Sequence, residues 1–114
     1  MLTDRMFLHT KVFDDLWESL GCDDDDLSEL QKAISENPQG YPVIRGTGGV
    51  RKIRIALEGR GKRGGARILY VDFVLRGIVG LLYAYPKSEK ENIDDKERKT
   101  LKAMVEHIND LWRD

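Results

Sequence analysis

A chain of 114 residues, 40% hydrophobic and 34% charged, has material for one hydrophobic core and too many aliphatic side chains to stay disordered, so a single domain over 1–114 is expected. No apolar run approaches the roughly 20 residues of a membrane helix and the first residues do not read as a secretory signal, which leaves a soluble cytoplasmic protein with no membrane partner as the expectation. The formal net charge of −1 hides a division: residues 1–30 hold nine acids and two bases, whereas residues 45–67 hold Arg45, Arg51, Lys52, Arg54, Arg60, Lys62, Arg63 and Arg67 against Glu58 alone.

Met6 to Thr10 is short and mostly apolar, compatible with a first strand. From Lys11 to Leu20, Val12, Phe13, Leu16, Trp17 and Leu20 recur at helical spacing, and Gly21 supplies a stop. Asp26 and Glu29 are expected to form a capping box for a second helix, with Leu27, Leu30, Ala33 and Ile34 as its apolar stripe before Asn37, Pro38 and Gly40 break it. The pattern then changes to strands. In Val50 to Leu57, Ile53, Ile55 and Leu57 alternate with Lys52, Arg54 and Ala56, predicting one apolar and one cationic face. A basic loop, Gly59 to Gly65, leads to strands Arg67 to Leu75 and Ile78 to Tyr85, turned at Arg76 and Gly77. Asp94 to Trp112 carries Leu101, Met104, Val105, Ile108 and Trp112 on one stripe and predicts an amphipathic helix. The order β-α-α-β-β-β-α indicates an α+β fold, an antiparallel sheet packed against two N-terminal helices and a C-terminal helix.

A concentrated positive block is the electrostatic footprint of a polyanion, although a merely solvated basic face or an acidic protein partner also satisfies it. A period of two puts Lys52 and Arg54 on one face about 7 Å apart, a spacing that suits successive phosphate oxygens. Antiparallel pairing across the basic loop brings Arg67 alongside them, and Lys87 ends the next strand. RNA is cleaved when its 2′-hydroxyl attacks the adjacent phosphate, and positioned cations stabilise the charge that develops on phosphorus. Arginine is no base at ordinary pH, but a lysine crowded by cations is pushed down toward a useful range, which makes Lys52 the candidate for proton transfer.

The stretch Gly46-Thr47-Gly48-Gly49-Val50-Arg51-Lys52-Ile53-Arg54 and the stretch Gly59-Arg60-Gly61-Lys62-Arg63-Gly64-Gly65-Ala66-Arg67-Ile68-Leu69-Tyr70 are followed by Leu82-Tyr83-Ala84-Tyr85-Pro86-Lys87-Ser88-Glu89. Together, over roughly residues 43–112, they resemble HigB-type toxins of the RelE/ParE superfamily. The resemblance implies a RelE-like fold and a metal-independent endoribonuclease without cofactor that cuts messenger RNA in the ribosomal A site. It places cleavage on Lys52, Arg54, Arg67 and Lys87, and RNA contact on Arg51, Arg60, Lys62, Arg63 and Tyr85, with the basic loop against ribosomal RNA as a salt-sensitive anchor. It also implies a helix-turn-helix antitoxin, through which alone DNA would be contacted. Arg54 stands where RelE has lysine and Lys87 where it has arginine. The tyrosine that RelE carries after its fourth strand has no counterpart in Glu89-Lys90-Glu91-Asn92-Ile93. Two alternatives share the fold: a ParE-like gyrase-inhibiting toxin, disfavoured by the density of bases, and a catalytically inactive RNA-binding module.

Other features read more plainly. Gly59, Gly61 and Gly64 spell a dinucleotide motif without its βαβ frame. Asp23 to Asp26 lack the spacing of a calcium loop and suit a helix start. His9 and His107 lie too far apart in pattern to form an imidazole pair, and the single Cys22 offers neither a disulfide nor a thiolate cage. Trp17 and Trp112 fit helix stripes as core residues. Tyr83 and Tyr85 share one strand face, where core packing and base stacking are both open, Tyr85 being the nearer to the strand end.

Overall fold

A computed structural model describes residues 5–57 and 65–112. Its elements run β1 (Met6–His9), α1 (Lys11–Ser19), α2 (Asp24–Glu36), β2 (Val50–Ile55), β3 (Ala66–Phe73), β4 (Ile78–Pro86) and α3 (Asp95–Asp110), with a short 3-10 turn at Val74–Arg76. This is the order expected from hydrophobic periodicity. The sheet order is β1-β4-β3-β2. β2, β3 and β4 are successively antiparallel, but β1 pairs parallel with β4, so the sheet is mixed. Parallel pairing needs a long crossover, here the whole of α1, α2, β2 and β3, and such a long-range partner leaves no local trace in sequence.

Both faces of the sheet are covered. Phe13, Trp17, Leu30 and Ile34 of α1 and α2 pack on one face against Ile53, Ile68, Tyr70, Val79 and Leu81. Leu101, Val105 and Ile108 of α3 pack on the other against Val50, Leu69, Val71, Leu82 and Tyr85. The two-sided cover corrects the expectation of one apolar and one cationic face on β2. Val50, fully buried, shares its face with Lys52 and Arg54, and only the far end of that face is left to the cations.

The helix starts are fixed by side-chain oxygens. Thr10 caps α1, accepting from the Phe13 amide while its hydroxyl donates to the Leu82 carbonyl at 3.0 Å, which welds the helix start to β4. The capping box of α2 is formed by Asp23 and Asp26 rather than by Asp26 and Glu29. Asp serves as well as Glu at the third helical position when its carboxylate reaches back to the cap amide, so the helix begins inside the aspartate run and places three acids in its first turn. An equivalent box, Asp94 with Glu97, starts α3. Between β3 and β4 the 3-10 turn closes on Gly77, whose φ of 65° is the left-handed conformation that glycine adopts without a Cβ penalty. Among the described residues no helix is long and apolar enough to cross a membrane.

Candidate functional site

The register of the sheet assembles the cations. Arg54 on β2 lies opposite Arg67 on β3, which lies opposite Tyr85 on β4. One step along, Lys52 is opposite Leu69, and Leu69 opposite Tyr83. Lys52, Arg54, Arg67 and Tyr85 therefore share one face, at the end of the sheet that α3 leaves uncovered. Gly65 lets β3 start tight against β2: with φ at 80°, a Cβ there would lie 2.0 Å from the Ile55 carbonyl oxygen.

Arg67 is buried at 4% exposure, and its Nη2 donates to both carboxylate oxygens of Glu91 at 2.9 and 3.1 Å. The Nη2 of Arg54 reaches the same carboxylate at 3.4 Å. Lys52 donates through Nζ to Asn92 Oδ1 at 3.0 Å. The segment after β4 thus offers an anion to the two arginines and a neutral amide to the lysine. It is anchored independently of those contacts: the Tyr85 hydroxyl donates to the backbone carbonyl of Glu91, Ile93 is buried, and Lys90 pairs with Glu97 while lying 5.3 Å from the Tyr85 ring centroid.

These contacts set the titration of the site. Hydrogen bonding from Arg67 holds the Glu91 carboxyl below the usual carboxylate range, with Arg54 adding to it. Burial, then the charges of Arg54 and Arg67, push the Lys52 ammonium below the ordinary lysine value. Burial raises the Tyr85 phenol. Three hydrogen bonds from two guanidinium groups thus converge on one carboxylate with the Lys52 ammonium on the same face, a geometry that equally suits the oxygens of a phosphodiester.

A cleft of about 300 Å³ opens beside this cluster. Lys52, Arg54 and Tyr85 form one side, Pro42, Val43 and Ile44 a second, and Asn92, Ile93 and Arg98 a third. The 42–44 wall is held by Thr47. Its hydroxyl donates to the Ile44 carbonyl at 2.6 Å and accepts from the Val50 amide at 3.0 Å, while the Ile44 amide donates to the Val50 carbonyl at 2.8 Å.

The residues singled out from sequence fare differently. Lys52, Arg54 and Arg67 come together as the strand period and pairing predict. Lys87 lies just past β4, exposed, its amide bonded to the Gly65 carbonyl, and it does not line the cleft. Arg51 points to the opposite face, where its Nη1 donates to the Gln39 and Tyr41 carbonyls at 2.9 and 2.7 Å. Tyr85, at 1% exposure, is packed beside Tyr83 with ring centroids 6.0 Å apart. Arg60, Lys62 and Arg63 lie outside the described residues. Sequence reasoning passed over Glu91, Asn92 and Arg98. The signal available was weak: an acid and an amide in the connection after the last strand, facing a sheet known to be basic.

The remaining candidates take structural places. His9 sits between Asp14 and Gln31 at 3.0 and 3.2 Å and edges onto Phe13. Trp17 is buried and Trp112 packs edge-on against Phe73.

Comparison with known proteins gives consistent matches. The profile of the family described as "RelE toxin of RelE / RelB toxin-antitoxin system" matches residues 5–114. A chain in the crystal structure of the intact E. coli RelBE toxin-antitoxin complex superposes with a TM-score of 0.55 at 15% identity, covering 72% of this chain and 95% of that one. The free-state structure of an arginine-to-alanine double mutant of E. coli toxin RelE gives 0.54 at 17% identity, covering 80% and 90%. At these identities the likeness is one of fold.

Proposed function

Since the chain belongs to the RelE toxin family of type II toxin-antitoxin systems, we propose that it is a ribosome-dependent messenger-RNA endonuclease of the HigB kind. The observation that carries this reading is the row of Arg54 and Arg67 across paired strands with Lys52 beside it, all turned to one face, the two arginines already holding a carboxylate.

In the reaction the 2′-oxygen of RNA bonds to phosphorus, the bond from phosphorus to the 5′-oxygen breaks, one proton leaves the 2′-hydroxyl and one arrives on the 5′-oxygen. Arg67 and Arg54 take the place of solvent around the non-bridging oxygens. Each well-placed donor of this type is worth about 3 kcal/mol in the transition state, on the order of a hundredfold in rate. Lys52 carries proton transfer, its ammonium softened by burial and by the neighbouring guanidinium charges. The cations themselves supply the charge stabilisation, so the step as written needs no metal and no cofactor. Lys87, Arg60, Lys62 and Arg63 serve as outer phosphate anchors toward messenger and ribosomal RNA. A cognate helix-turn-helix antitoxin is the protein partner, the cytoplasm the compartment, and contact with DNA runs only through that antitoxin.

The test is induced expression of wild type beside Lys52→Ala and Arg67→Ala, following growth and mapping new 5′ ends in messenger RNA. Growth arrest with cuts inside translated frames, lost in both folded variants, is the expected result. Arrest without new cuts would replace this reading with gyrase inhibition or RNA binding alone.

A further inference from the structure

In the displacement described above, the entering 2′-oxygen and the leaving 5′-oxygen stand on opposite sides of phosphorus. One group therefore cannot take the first proton while it gives the second. Lys52, as an ammonium, is the donor of the pair, and Arg54 and Arg67 keep their protons at any ordinary pH. The cationic set as it stands lacks a base. Among the described residues His9 is held between Asp14 and Gln31, His107 lies in the last turn of α3, and the Tyr85 phenol donates to the Glu91 carbonyl.

Glu91 remains. Among the described residues it is the one carboxylate bonded to the cations of the site, at 2.9 and 3.1 Å from Arg67 Nη2 and 3.4 Å from Arg54 Nη2. Its backbone is pinned, since its carbonyl accepts from the Tyr85 hydroxyl at 3.2 Å and Ile93, two residues on, is buried. Its side chain is 45% exposed and so open to substrate. An ion pair this open contributes little to stability, which leaves the place of an acid among these cations to be explained by chemistry. The guanidinium contacts hold the carboxyl low and ionised in the free protein. A phosphodiester that draws those donors to its own oxygens removes the charge that holds it low. The proton affinity of the carboxylate then recovers just where the 2′-hydroxyl arrives.

We propose, resting on the reading of this face as an RNA-cleaving site, that Glu91 is the catalytic base. One of its carboxylate oxygens takes the proton of the 2′-hydroxyl as the 2′-oxygen bonds to phosphorus. The bond from phosphorus to the 5′-oxygen breaks, and Lys52 gives that oxygen a proton. The products are a cyclic phosphate across the 2′- and 3′-oxygens and a 5′-hydroxyl end, with Glu91 protonated and Lys52 neutral until solvent restores both.

The experiment follows single-turnover cleavage of messenger RNA on programmed ribosomes at saturating protein, with binding measured on a messenger that carries hydrogen in place of the 2′-hydroxyl at the cut. Glu91→Gln is expected to cut on the order of a hundredfold more slowly while binding no more weakly than wild type, and Glu91→Asp to recover part of the rate. A messenger with sulfur in place of the leaving 5′-oxygen separates base from acid, because a thiolate departs without a proton. It should restore much of the cleavage by Lys52→Ala and leave Glu91→Gln as slow as before. Faster cleavage by Glu91→Gln would make the carboxylate a plug over the arginines and overturn the assignment. So would a loss of rate matched by weaker binding, or one that sulfur repairs. Failure of the cleavage reading is seen separately, as messenger RNA that wild type leaves intact.

Discussion

Replacing Thr47 by valine keeps the shape of a fully buried side chain and removes one oxygen, which makes it a clean probe of the cleft wall. Among the described residues that oxygen is the only side-chain bridge between the Ile44 carbonyl and the Val50 amide, so Thr47→Val strands both at once. A stranded buried group costs about 1–3 kcal/mol. Ile44 is half-buried and recovers part of its loss from water, which puts the sum at about 2–4 kcal/mol. With a urea dependence of about 1.5 kcal/mol/M for a chain of this size, the midpoint of unfolding should fall by about 2 M. Thr47→Ser keeps both hydrogen bonds and loses one methyl, about 1 kcal/mol, and serves as the control. Urea titration followed by circular dichroism measures all three proteins. If Thr47→Val unfolds within about 0.5 kcal/mol of Thr47→Ser, the hydroxyl does not hold the wall and the account of the cleft fails.

Three further outcomes follow from Glu91 and Lys52. Glu91→Gln should tighten binding to a non-cleavable RNA on the order of fivefold, because the carboxylate that competes for Arg67 and Arg54 is gone; weaker binding would mean that Glu91 positions the arginines instead. Since Glu91 titrates below its ordinary 4.5 in the folded protein, its contribution to stability is complete above that value and is lost as pH falls through the folded one, so Glu91→Gln should flatten the acid limb of a stability profile between pH 5 and 3; an unchanged limb would contradict the ion pair. Lys52 should titrate below its ordinary 10.5 by side-chain NMR, burial being the main cause, and Arg54→Gln should move it back up; no response to Arg54→Gln would remove the guanidinium from the account.

The elements of this fold were legible because its apolar residues repeat at 3.6 or at 2, and the convergence of Lys52, Arg54 and Arg67 followed from strand period and hairpin pairing alone. Features that depend on distant partners were not legible. The parallel docking of β1 on β4 and the burial of Tyr85 beneath the Glu91 segment are of this kind. Arg51 reads as one more cation in a basic run, yet its guanidinium donates to the Gln39 and Tyr41 carbonyls on the other face. Arg98 sits in a helix rich in lysine and acid, where charge is ordinarily exposed. Its place in the cleft wall depends on how α3 packs, which no spacing rule detects.

The contact between Thr10 and Leu82, 72 residues apart, has a consequence for how the molecule is made. A strand that waits for a partner so far along the chain cannot join the sheet until nearly all of β4 has been synthesised, and contacts of long sequence separation are the slow ones to form. Arg54 and Arg67 can meet as a hairpin before that, but Asn92, Ile93 and Arg98, which wall the cleft, are translated later still. Chain connectivity therefore acts as a timer: the emerging polypeptide displays positive charge early and acquires a shaped recess only once the start of α3 has been added.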